Sequence, residues 1–137
     1  MGRFPAVVAL AASLLASTTV QAQTDIWFPG WVADAERQAG QQLFKDHCAA
    51  CHMPRPGVPY APNLVGVAGR PAGSVPGFPY SEALKKSGLV WTEDNLKKWL
   101  ANNSKLVPNT LMPHVSISDP AEQIYIIAYL KSLKPAH

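Results

Sequence analysis

The sequence predicts an all-α fold of three to five short helices. Three observations carry this. Near the C-terminus Ile126, Tyr129, Leu130 and Leu133 recur at i, i+3, i+4 and i+7, the spacing of one buried helix face. No run alternates apolar and polar residues cleanly enough for a strand. The stretches between helical segments are rich in proline and glycine, of which the 137-residue chain holds 13 and 9, and these suit loops.

Taken in order, the chain opens with Arg3, an apolar run over residues 4–15 and a small-residue stretch over 16–22 that ends Val20, Gln21, Ala22. This is the layout of a secretory signal, with cleavage expected after Ala22. An uncleaved membrane anchor is the competing reading, since the run is borderline in length for crossing a bilayer. Removing 22 of the 137 residues leaves a single domain of 115, expected in the periplasm or an equivalent space, with no stable membrane insertion. Residues 23–33 form an extension containing Trp27, Phe28 and Trp31, aromatics that are costly to leave in water and are expected to pack on the body; a partner-binding patch is the minority alternative.

The domain proper is expected over 34–137. Residues 33–46 predict a first helix, with Asp34 placed to cap it and Gly40 and Phe44 four apart on one face. Glycine inside a helix costs stability, so a second helix is expected to cross at Gly40. The last helix is the candidate partner: Asp119 can cap it, Pro120 suits its first turn and Glu122 completes a capping box. Between these, residues 81–87 predict a short helix closed by Gly88. Residues 92–101 predict another, with Leu96, Trp99 and Leu100 facing inward.

Just after the first helix stand Cys48, Ala49, Ala50, Cys51 and His52. Two thiols three residues apart can reach the two vinyl groups of one porphyrin, and the next imidazole lands under its iron, so the motif reads as the attachment site of one covalently bound haem c. A disulfide loop or half a zinc site is the alternative. Zinc would need two more soft ligands, and these are the chain's only cysteines; His47, His114 and His137 lack finger-like spacing. Residues 53–62 hold four prolines, which suit a rigid loop around one edge of a cofactor.

The formal charge is +3, from 12 basic and 9 acidic residues, and loss of Arg3 lowers it to +2 before two propionates are counted. That gives nucleic-acid binding no support. Lys85 with Lys86 and Lys97 with Lys98 read as solvated helix faces rather than as a docking patch.

Gly40 with Phe44, the CAACH motif, APNLVGVAGR at 61–70, PGFPYSEAL at 76–84, Trp91, residues 108–112 and IIAYLK at 126–131 follow one another in an order that resembles the class I cytochromes c of bacterial c2 and mitochondrial type. The likeness runs from about Gly40 to Leu133. It implies a fold built around one haem with the terminal helices packed together. It also implies His52 as one axial ligand, its other ring N–H accepted by the Pro62 carbonyl, and Met112 as the opposite ligand. Chemistry concurs: Met53 is trapped beside His52, Met1 leaves with the signal, and Met112 sits in a loop between Pro108 and Pro113, although a buried methionine is more often plain core. By resemblance Arg70, Tyr80 and Trp91 donate to the propionates; as plain residues they are a surface arginine and two packed aromatics. Trp99 lies near the methionine sulfur, where a tyrosine is usual.

Other departures are Leu84 where an asparagine often anchors a buried water, Asn109 for a common glycine, Leu111 for a lysine and His114 for a phenylalanine at the exposed haem edge. The lysine ring that steers relatives to acidic partners is thereby incomplete, so a less electrostatic docking mode is expected. The reading is a monomeric one-electron carrier and no enzyme. Its expected donor is a quinol complex or quinoprotein dehydrogenase; its expected acceptor is a terminal oxidase, peroxidase or reaction centre. The alternatives are a haem enzyme or gas sensor with a labile Met112 and His114 as distal base, or a tethered electron-transfer subunit.

Overall fold

The computed structural model describes residues 28–53, 61–113 and 116–135. The stretch expected to be a secretory leader, with its expected cleavage site, and Trp27, most of the proline-rich loop and His114 lie outside the described residues. Among the described residues five helices follow in order: α1 (Phe28–His47), α2 (Ala49–His52), α3 (Glu82–Lys85), α4 (Glu93–Leu106) and α5 (Pro120–Ser132). Among the described residues there is no strand, only an isolated antiparallel bridge between Pro71 and Val90. No described helix is long and apolar enough to cross a membrane.

α1 and α5 cross at Gly40. A Cβ built there would overlap the Tyr125 carbonyl, so only glycine lets the two backbones approach this closely. Around the crossing Phe44 meets Tyr129 at 5.1 Å between ring centroids, and Ile126, Ile127 and Leu130 are buried. α4 adds Leu96, Trp99 and Leu100 to the same core. Caps set three of the helix starts: Ser81 Oγ accepts from Leu84 N–H, Thr92 Oγ1 from Asn95 N–H, and Asp119 from Ala121 N–H with Pro120 beginning the first turn.

The first helix differs from expectation. It starts at Phe28, so Asp34 is no cap: it lies within α1 and pairs with Arg37 at 3.2 Å. Nothing in residues 28–33 forces a stop, and a carboxylate three residues before an arginine is stable inside a helix. The boundary expected at residue 33 therefore falls inside α1. Trp31 does not pack on the body: it is 72% exposed, with Val32 exposed beside it. Residue 31 is carried outward on the first turns of α1, before that helix reaches α5.

α4 runs past residue 101 to Leu106, but not smoothly. Asn102 has an extended backbone (φ −164°, ψ 92°) that breaks the helix, and its side chain accepts the Lys105 N–H at 2.8 Å to start the turn again. Asparagine favours such breaks because its side chain competes for backbone hydrogen bonds.

Candidate haem site

A cavity of about 510 Å³ opens between α1, α2, α4, α5 and the loops 61–80 and 110–113. Its walls are mostly apolar, with Phe44, Leu84, Leu96, Leu100, Ile126 and Leu130 prominent. Cys48, Cys51, His52, Pro62, Arg70, Tyr80, Trp91, Trp99 and Met112, the site residues expected from the sequence, all border this one space.

α2 is a single turn that presents the thiols and imidazole together. Cys48 is half-buried, Cys51 is exposed and both are free thiols. Burial pushes the Cys48 thiol up to about 11, with the neighbouring Cys51 adding to the rise. Among the described residues no group of three or more His, Cys, Asp or Glu side chains could hold a metal ion.

His52 Nδ1 lies 3.0 Å from the Pro62 carbonyl. A carbonyl only accepts, so Nδ1 carries the proton and Nε2 keeps its lone pair. Burial lowers the His52 pKa below the usual imidazole value, partly opposed by that hydrogen bond, so the ring is held neutral and able to ligate.

On the opposite loop, Val107 to Thr110 make a turn closed by the Thr110 N–H to the Val107 carbonyl (3.2 Å), with Pro108 second and Asn109 third at φ 65°. This is a type II arrangement, which explains why glycine suits position 109 and why asparagine is tolerated there. The turn delivers Met112, half-buried, to the cavity wall, while Leu111 beside it is 73% exposed.

Arg70 is positioned by its own loop: Nη1 donates to the Val65 carbonyl at 3.0 Å and Nη2 to the Asn63 carbonyl at 3.1 Å. Backbone pairing of Gly69, Arg70 and Ala72 with Trp91 and Leu89 brings Arg70 beside Trp91. Among the described residues, Arg70 Nε is the buried side-chain nitrogen that lacks a partner. An unsatisfied donor on a guanidinium costs roughly 1–3 kcal/mol, so an acceptor, best an anionic one, fits this point of the cavity wall. Tyr80 stands edge-on to Phe78 at 4.7 Å; burial raises its phenol pKa, opposed by the Val75 backbone and by Arg70. Trp91 and Trp99 meet edge to face at 5.0 Å. Leu84 is buried in the same wall.

Sequence reasoning missed Asn103, 1% exposed, whose amide donates to the Met112 carbonyl at 3.0 Å. The signal for it was the Asn102–Asn103 pair inside an otherwise helical run.

An apolar slot with two thiols and an imidazole at one side, a thioether at another and an orphaned guanidinium donor fits a covalently attached haem with its propionates, and so defines a c-type haem protein. Comparison with known proteins agrees. The family model described as Cytochrome c matches residues 37–134. The chain is 43% identical over 102 residues to cytochrome c of Euglena viridis, covering 74% of this chain and 98% of that one. It is 45% identical over 96 residues to cytochrome c2 of Rhodopila globiformis, covering 69% and 91%. Among solved structures, cytochrome cH from Methylobacterium extorquens superposes with a TM-score of 0.65 at 45% identity, covering 70% of this chain and 97% of that one. The chain belongs to the cytochrome c family, and its fold is that of the class I members. Membership supports an electron-carrier role with covalently bound haem.

Proposed function

We propose that the protein is a periplasmic one-electron carrier that exchanges electrons with protein partners and has no catalytic reaction of its own. The observation that supports this best is that His52, on α2, and Met112, on the loop after α4, border the same apolar cavity. When bound there through Cys48 and Cys51, a haem supplies a one-electron ferric/ferrous couple. His52, oriented by the Pro62 carbonyl, would hold the haem iron through Nε2, and Met112 would hold it through its sulfur. Two protein ligands leave no coordination site for substrate, which separates a carrier from an enzyme or gas sensor. Arg70, Tyr80 and Trp91 would donate hydrogen bonds to the propionates, and Trp99 closes the wall against Trp91. The apolar lining excludes water and, with a thioether ligand, favours the reduced state.

The donor is a quinol complex or quinoprotein dehydrogenase, and the acceptor a terminal oxidase, peroxidase or reaction centre. The deciding experiment is the far-red absorption spectrum of the oxidised holoprotein, where methionine ligation gives a weak charge-transfer band. The band is expected in wild type and absent in Met112→Ala. A wild type without the band that binds carbon monoxide readily when reduced is instead an enzyme or sensor.

A second reading, a subunit tethered to a larger redox enzyme, draws on one observation: Trp31 and Val32 are exposed on the part of α1 that precedes the family match. Co-purification with a dehydrogenase or membrane fraction, lost in Trp31→Ala, distinguishes it from a free shuttle.

A further inference from the structure

We propose that Asn103 is the positioning residue for Met112, holding its loop against the cavity through the Met112 main-chain carbonyl. This rests on the reading of Met112 as an axial ligand.

The Asn103 side chain is almost wholly buried, at 1% exposure, and buried amides are kept only where they are hydrogen-bonded. Its Nδ2 donates to the Met112 carbonyl at 3.0 Å and reaches toward the Pro113 carbonyl at 3.4 Å. Its Oδ1 accepts the Ser104 N–H at 2.8 Å, which fixes which end of the amide faces the loop. From the other side the Thr110 hydroxyl approaches the Met112 N–H at 3.4 Å, a weaker contact. The peptide on either side of Met112 is thus held by side chains from two segments, with Asn103 the closer and better buried of the two.

The break in α4 makes this possible. At Asn102 the backbone leaves helical geometry, and the Asn103 main-chain carbonyl then accepts from Val107 N–H at 2.8 Å, starting the turn that leads to Met112. One residue therefore anchors the loop at both ends, by its main chain where the loop begins and by its side chain where it delivers the sulfur. On the far side, the Ile117 N–H donates to the Leu100 carbonyl at 2.9 Å and returns the chain to α4. A thioether is a weak, neutral ligand, so its hold on iron depends on the loop being unable to swing away; loosening the loop raises the chance that an external ligand replaces it.

The test is displacement of Met112 by imidazole in the ferric holoprotein, followed through the far-red band, in wild type, Asn103→Ala and Asn103→Asp. Aspartate keeps the shape and the acceptor toward Ser104 but, ionised, has no donor for the carbonyl. Imidazole is expected to bind at least tenfold more tightly to both variants than to wild type, with the reduction potential lowered. Ile127→Val, a core change on α5, serves as the control for lost stability and is expected to leave imidazole affinity within twofold of wild type. If Asn103→Ala fails to mature, the isosteric aspartate variant alone decides. Variants that lose thermal stability yet take up imidazole as wild type does would overturn the proposal. A wild type without the band would instead refute the ligand assignment, an outcome distinguishable because it needs no variant.

Discussion

At the residue scale, Gly40 and Asn109 make opposite demands on the side chain. At Gly40 the constraint is space: Gly40→Ala would push a methyl group into the Tyr125 carbonyl, and neither helix can retreat without opening the core around Ile126. A loss of about 3 kcal/mol or more is expected in denaturant unfolding of the holoprotein, at the upper end of overpacking penalties. At Asn109 the constraint is backbone sign. Asn109→Gly is expected to change stability by less than about 1 kcal/mol, whereas Asn109→Val, β-branched at positive φ, is expected to cost about 1–2 kcal/mol and to weaken the far-red band by shifting the Met112 loop. The two substitutions separate a fault in side-chain packing from one in loop conformation, because the first changes unfolding alone and the second also changes the spectrum.

At the element scale, α4 and α5 are joined on the surface by Lys131 and Glu93 at 3.3 Å, while Glu93 also pairs with Lys97 at 3.1 Å. Hydrogen bonds and charge from Lys97 and Lys131 lower the Glu93 pKa, so its contribution to stability is present above the ordinary carboxylate range and disappears as pH falls through that range and below it. The pair is exposed, so Lys131→Met is expected to cost less than about 1 kcal/mol at pH 7 in low salt, and less still at pH 3 or in 1 M salt. Thermal melts under the three conditions measure this. How far the elements were legible in the sequence follows from whether their causes are local. The Gly40–Phe44 face, the Asp119 cap with Pro120 and the inward face of α4 are each announced by residues within a turn or two of one another, and each is found. The start of α1 was misjudged because a carboxylate near a helix start can cap it or pair along it, and only the preceding backbone decides. The Asn103 anchor was not read, because its partner Met112 comes near only after the chain has folded back; the break at Asn102 was not read because an asparagine in a helical run can face solvent as readily as it can take up a backbone N–H, here that of Lys105. Within the site, the spacing of Cys48, Cys51 and His52 is a local signature, while the grouping of Arg70 with Trp91 depends on a main-chain pairing that no periodicity announces.

At the scale of the whole molecule, the core is incomplete as protein alone: a cavity of about 510 Å³ sits where Phe44, Leu96, Trp99 and Ile126 converge. A Cys48→Ala, Cys51→Ala double variant, unable to retain haem covalently, is expected to lose cooperative thermal unfolding and near-ultraviolet circular dichroism when freed of haem, since an unfilled apolar space of this size removes much of the stability of a small domain. Retention of a sharp transition would mean that the helices close over the space unaided. The outer surface is the counterpart of that interior. Lys85 and Lys86 face Glu82, Lys97 and Lys131 face Glu93, and Lys98 faces Asp94, so much of the positive charge is answered within 4 Å by the chain itself. A field cancelled at such short range has little left for dissolved ions to screen. If the carrier works in the periplasm as proposed, where ionic strength follows the habitat, encounters with partners would then run at much the same pace in fresh water and in brine.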